Sequence, residues 1–362
     1  MDYGFASWAA LKHHVESLRG RPTVGPAAVR TSDGAVMING FQRASWGGAT
    51  GRQISVVAVF ALVSEAFGDD ADYDFLMGAS GAAFRVQMSI GQLCPSSPHA
   101  NCGLECRSRA IRAWGRDVTS IDTSDKQAPA RDEARRRVVE SIDRGIPVIA
   151  DAEECSLIVG YSAEGLIVRK YSARREGYEP LDGWPWSIGV VAAERRPPEP
   201  AQLVVDSLRT AIDWWNTTAC DGYACGAHAY EHWIEQLRDD AAFAAMEPDK
   251  LFSSALGNAF MFDALADARG AAANYLAAVA DTMADSGASA CARAASAEYA
   301  QLERLLRENR SLAPYPWELA QTTDWSLGMR HRQAAFQESL RAGDAAAVAS
   351  VGELLASLMT RR

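Results

Sequence analysis

Three cysteines and a histidine fall within thirteen residues, in the run Cys94-Pro95-Ser96-Ser97-Pro98-His99-Ala100-Asn101-Cys102-Gly103-Leu104-Glu105-Cys106. Thiolate and imidazole are the natural ligands of zinc, copper(I) and other soft ions, so Cys94, His99, Cys102 and Cys106 form a candidate metal set. The spacing C-x7-C-x3-C matches no established zinc motif. A compact loop whose cysteines serve as small hydrophobes is therefore the competing reading. Cys106 also stands at the start of a helical pattern. There the helix dipole and free N–H groups lower a thiol pKa and favour nucleophilic use.

A second group comprises Cys220, Cys225, His228 and His232. The two histidines are spaced i,i+4 and share a helix face, which a metal could bridge. Tyr223, Tyr230 and Trp233 surround them, and a packed aromatic face is the favoured reading. Gly78-Ala79-Ser80-Gly81-Ala82 superficially matches the hydrolase nucleophile elbow but departs at Ala82. Close packing around a small-residue helix is expected there instead.

The elements that must carry these residues are legible in outline. A helix is expected at the N-terminus, carrying His13 and His14, and Gly47–Gly51 reads as a flexible approach to the next. Apolar residues at helical spacing run from Ile54 to Phe67 and stop at Gly68-Asp69-Asp70. Helices are expected near Glu105–Trp114 and over Arg131–Arg144, the latter with Arg135, Arg136 and Arg137 on a solvated face. Gly145-Ile146-Pro147-Val148-Ile149-Ala150 opens the clearest strand signal. Cys155–Tyr161 and Leu166–Tyr171 flank the turn Ser162–Gly165 and predict a hairpin. Ser187–Ala193 predicts another strand. Arg195-Arg196-Pro197-Pro198-Glu199-Pro200 reads as a linker, because adjacent prolines continue neither strand nor helix. Beyond it the chain is Ala-rich and helical, with elements expected over 204–215, 227–239, 254–284, 290–308, 331–342 and 344–359.

Length and charge bound the function. A chain of 362 residues exceeds what one core usually serves, so two domains are expected, over 1–196 and 201–362. The net charge is −10. Residues 1–200 carry 23 Lys+Arg against 25 Asp+Glu, and residues 201–362 carry 13 against 21. Such acidity argues against nucleic acid as a partner. No apolar run reaches the ~18 residues of a membrane span, and the N-terminus lacks a basic start and apolar block. No membrane association is expected, and the cytoplasm is the expected compartment. Seven cysteines, an odd number, argue against a disulfide framework. A small molecule is the expected partner, with zinc or another soft metal as a cofactor candidate.

The order of helix, helix pair, "G-x-P-V-I" strand and "L-I-V-G-Y-S-x-x-G-L-I-V" hairpin resembles the papain-like fold of bacteriocin-leader-processing peptidases. It also resembles the N-terminal domain of the butirosin biosynthesis protein H-like family. Tyr73–Phe84 (YDFLMGASGAAF) is similar to the element that follows the first helix in that family, and GAHAYEHW over Gly226–Trp233 to its helical domain. The resemblance implies an α+β class: a papain-like N-terminal domain followed by an all-α C-terminal domain. It implies acyl-transfer or amide-bond chemistry. It places Ser55 at the nucleophile position, Cys155 at the histidine position and Ser172 near the orienting position. None is the residue that an ordinary thiol protease uses. The expected centre is therefore rebuilt, with Cys155, Ser55 and Cys106 as catalytic candidates and Ser80, Arg85, Tyr161 and Tyr230 as substrate-binding candidates. The alternative is a non-catalytic protein that holds a soft metal or thiophilic ligand.

Overall fold

The structure is a computed structural model that describes residues 28–31, 34–41, 51–124, 128–152, 154–171 and 177–360. The expected N-terminal helix with His13 and His14, most of the Gly47–Gly51 approach and Ser172 lie outside these residues. The chain divides into two compact units. One comprises Ala110–Glu199 and the described residues before Met77; the other comprises Met77–Arg109 and Pro200–Arg362. The expected boundary near Pro200 is one of the crossings. Two consecutive domains do not describe the rest, because Met77–Arg109 clusters with the helical unit.

The first unit is built on an antiparallel sheet. Its order runs Ala28–Arg30, Val36–Ile38, Ser156–Tyr161, Val148–Asp151, Ser187–Val191, Val118–Asp122. Leu166–Arg169 pairs with Ser156–Tyr161 and with Glu179–Pro180. The predicted hairpin is present, closed by the Ser162 N–H donating to the Gly165 carbonyl at 2.8 Å. Helix Ser55–Phe67 is apolar almost all round, so it is buried on nearly every residue. It ends where expected: the N–H groups of Gly68 and Asp69 satisfy the Glu65 and Ser64 carbonyls. Helix Ala128–Asp143 exposes Arg136 and Arg137, which pair with Glu133 on the solvated face.

The second unit contains helices Pro200–Asn216, Gly226–Arg238, Asp240–Ala244, Pro248–Thr282, Ser286–Glu308 and Leu327–Met359. Two departures from sequence matter. A three-stranded antiparallel sheet, Ala219–Cys220, Tyr223–Cys225 and Gln87–Ser89, stands where no strand was expected. The last two expected helices are one, continuous through Gly343, which packs against Leu302. That helix is long and apolar enough, by length and composition, to cross a membrane. Its Asp344 is instead buried against Arg269 of the Pro248–Thr282 helix, within the bundle.

Candidate functional site

Ser55 opens its helix, and Cys155 immediately precedes the Ser156–Tyr161 strand. The fold brings them together: the Cys155 N–H donates to the Ser55 Oγ at 3.1 Å. The Cys155 thiol donates to Asp151 Oδ1 at 3.0 Å. Asp151 ends the neighbouring strand, in register with Ser187. The Ser187 hydroxyl donates to the other carboxyl oxygen, Oδ2, at 3.0 Å. Ser55, Cys155 and Asp151 are 5%, 1% and 4% exposed. The result is a polar chain of Ser55, Cys155, Asp151 and Ser187, buried at its first three members. The resemblance placed Ser55 and Cys155 in one centre but did not include Asp151. The usable signal was an acidic residue ending the apolar strand Val148–Asp151, where burial is tolerated only with donors to match.

The cysteine loop belongs to the helical unit. It is organised from within by two buried side chains of the Arg85–Ser89 segment. The Arg85 guanidinium donates to the carbonyls of Pro98, His99 and Leu104. Gln87 donates to the Ser97 and Cys102 carbonyls and accepts from the Leu104 N–H. The donors of Arg85, a substrate-binding candidate, serve loop carbonyls that would otherwise be buried without partners.

The loop does not gather its thiols into a ligand set. Among the described residues no three of His, Cys, Asp and Glu stand where they could hold a metal ion. Cys94 Sγ lies 3.0 Å from Ser96 Oγ, which in turn meets the Tyr223 hydroxyl at 3.0 Å. Cys102 Sγ stands 3.9 Å from His99 Nδ1. The buried Cys106 donates to the Ala100 carbonyl at 3.7 Å. The catalytic assignment of Cys106 rested on a lowered thiol pKa at a helix start. Burial instead pushes that thiol up, with Arg85 only partly opposing it. The helix N-terminus is served by Glu105, whose carboxylate takes the Ser108 N–H and hydroxyl at 2.8 and 2.6 Å.

The second cluster disperses. Cys225 precedes helix Gly226–Arg238, and burial with the neighbouring Cys220 pushes its thiol up to about 11. His228 turns to Glu231 at 2.9 Å. His232 Nε2 accepts from the Gly91 N–H at 3.3 Å and lies 2.6 Å from the Gln236 amide. The favoured packed-face reading fits this arrangement.

The remaining substrate-binding candidates, Ser80, Tyr230 and Tyr161, make hydrogen bonds within the protein. Ser80 is fully buried; its hydroxyl donates to the Met77 carbonyl and accepts from the Ala82 N–H, closing a turn. Tyr230 is buried, and its hydroxyl donates to Asp344 at 2.6 Å beside the Arg269–Asp344 pair. Burial and Asp344 hold that phenol protonated, well above the usual range. Tyr161 donates to Asp143 at 2.7 Å near the surface of the α/β unit. No protein-family model matches this chain, and no curated protein matches it.

Proposed function

We propose that the α/β unit is a papain-like scaffold whose catalytic pair has become structural, and that the chain is a non-catalytic binding protein. The observation that carries this is the hydrogen-bonded burial of Ser55, Cys155 and Asp151. Papain-like chemistry needs an accessible thiolate at a helix N-terminus and a histidine to take its proton. Here the helix start carries a serine, and the opposite position carries a thiol that gives its hydrogen to a carboxyl oxygen.

A rebuilt acyl-transfer centre is the second reading. The hydroxyl of Ser55 at the first helical turn, in contact with Cys155, favours it.

Alkylation of the native chain by iodoacetamide at pH 7, mapped by peptide mass, separates the two. The expected result is no modification of Cys155 until the chain is denatured, while half-exposed Cys94, Cys102 and Cys291 react. Rapid modification of Cys155 in the folded chain would overturn the non-catalytic reading.

A further inference from the structure

We infer that Cys94 and Cys102 form a redox-sensitive pair, which a hydroperoxide converts to a disulfide across the loop between them. Both thiols are half-exposed, and both lie in the helical unit. The inference stands apart from the reading of the Ser55–Cys155 centre, which belongs to the other unit.

The Tyr223 hydroxyl brings the two thiols to one point. Cys94 Sγ lies 3.0 Å from Ser96 Oγ, and Ser96 Oγ lies 3.0 Å from that hydroxyl. Cys102 hydrogen-bonds the same hydroxyl. Burial pushes the phenol up and Ser96 opposes it; Cys102 and then Cys94 add to the rise, as two thiols facing one hydroxyl do. The backbone holds both ends in place. Gln87 donates to the Ser97 and Cys102 carbonyls at 2.7 and 2.8 Å. The Ser97 N–H donates to the Cys94 carbonyl at 3.1 Å, and the Cys102 N–H to the His99 carbonyl at 3.2 Å. An extended run from Cys94 to Cys102 would span about 27 Å. These turns fold it back on itself instead.

The two thiols are not equivalent. Cys102 Sγ stands 3.9 Å from His99 Nδ1. That nitrogen accepts the Asn101 N–H at 3.2 Å, which makes it the unprotonated nitrogen of the neutral ring. A base there takes the thiol proton as the sulfur attacks. Cys102 sulfur attacks one oxygen of hydrogen peroxide, and the O–O bond breaks. The departing hydroxide takes the proton from His99 and leaves as water, and Cys102 is left as a sulfenic acid. The Cys94 sulfur then attacks the sulfenic sulfur. The S–S bond forms, the S–O bond breaks, and hydroxide leaves as water with the Cys94 proton. Two thiols and one peroxide give a disulfide and two waters; the sulfurs are oxidised and the peroxide oxygens reduced. The other thiols around this loop are poorer candidates. Cys106 and Cys225 are buried, and burial pushes both up, Cys225 to about 11. Burial and then Asp221 push Cys220 up as well.

The test is exposure of the full, reduced chain to hydrogen peroxide, followed by denaturation, alkylation and non-reducing peptide mapping. The expected product is a Cys94–Cys102 link, two hydrogens lighter than the reduced peptide and reversed by dithiothreitol. Cys106 lies in the same tryptic peptide and is expected to carry the alkyl label. Cys94→Ser is expected to accumulate sulfenic acid at Cys102, trapped by dimedone about tenfold faster than any at the half-exposed Cys291. Cys102→Ser is expected to leave Cys94 a free thiol. Thermal melts establish that the variants fold, and where one does not, the map of the unsubstituted chain decides alone. The inference is overturned if that chain forms no Cys94–Cys102 link, if Cys106 is linked in its place, or if oxidation stops at the sulfenic acid. Oxidation of Cys291 as fast as Cys102 also overturns it.

Discussion

Arg269 and Asp344 meet at 2.5 Å with both side chains 1% exposed, and neither is useful to the fold without the other. Arg269 also donates to the Ala83 carbonyl at 2.9 Å, and Tyr230 shares the Asp344 carboxylate. Breaking such a pair strands a buried charge, whereas replacing both partners by apolar groups costs little. Arg269→Met is therefore expected to destabilise the chain by roughly 3–5 kcal/mol in urea unfolding, and Arg269→Met with Asp344→Leu by much less. Equal losses in the two would refute this account of the pair. His232 supplies a pH effect. Desolvation lowers its pKa, with Glu235 opposing and His228 adding to the shift. Its Nε2 acts as an acceptor for the Gly91 N–H, a role that protonation removes. A depressed histidine pKa means the unfolded chain binds the proton first, so this stability is full above the unfolded value of ~6.5 and is lost as pH falls below it. The melting temperature should drop between pH 7.5 and 5.5, and His232→Gln should show a smaller drop. Parallel curves for the two proteins would remove His232 from the explanation.

At the scale of elements, the small-residue helix Tyr73–Ser80 illustrates why packing overrules propensity. Alanine is the better helix former than glycine by about 1 kcal/mol. A Cβ at Gly78, however, would fall onto the ring of Tyr275, which is buried and hydrogen-bonded to Ser207 at 2.9 Å. The ring cannot move aside without breaking that contact. Gly78→Ala is accordingly expected to destabilise by about 1–3 kcal/mol, the usual cost of overpacking a core. A gain in stability in thermal or urea unfolding would show that the ring yields. The thiol loop follows the same logic. Its path is set by Arg85 and Gln87, which consume its carbonyls, and its cysteines occupy what space that path leaves.

At the scale of the molecule, the chain passes between its two units near residues 76, 109 and 199. The last passage is less free than its prolines suggest. Arg195 donates to the Trp114 carbonyl at 3.0 Å and pairs with Asp70 at 2.6 Å, and the Arg196 N–H donates to the Gly115 carbonyl at 2.6 Å. A specific cleavage site inserted after Pro198 is expected to give two fragments that co-elute in native size-exclusion chromatography. The reason is that Met77–Arg109 packs in the helical unit while remaining joined to the N-terminal fragment. Elution as two separate species would contradict the discontinuous unit.

What the residues alone determined was local. Helix Ser55–Phe67 with its Gly68 stop, the Ser156–Arg169 hairpin and the helical character beyond Pro200 follow from periodicity, turn chemistry and propensity, which act over a few neighbours. That Ser55 and Cys155 would share one centre was implied only by the papain-like resemblance, and their hydrogen bond is a product of the tertiary structure. Partners distant in sequence were not legible. Asp151 becomes the hub of a polar chain only once Ser187 is in register with it, and the Tyr223–Cys225 strand exists because Gln87–Ser89 offers it an edge. Cys94, His99, Cys102 and Cys106 share a short loop, yet ligation depends on side-chain directions, and those were decided by a guanidinium and an amide drawing the backbone inward. Composition and spacing state which groups are available; tertiary packing decides which hydrogen bonds they are left to make.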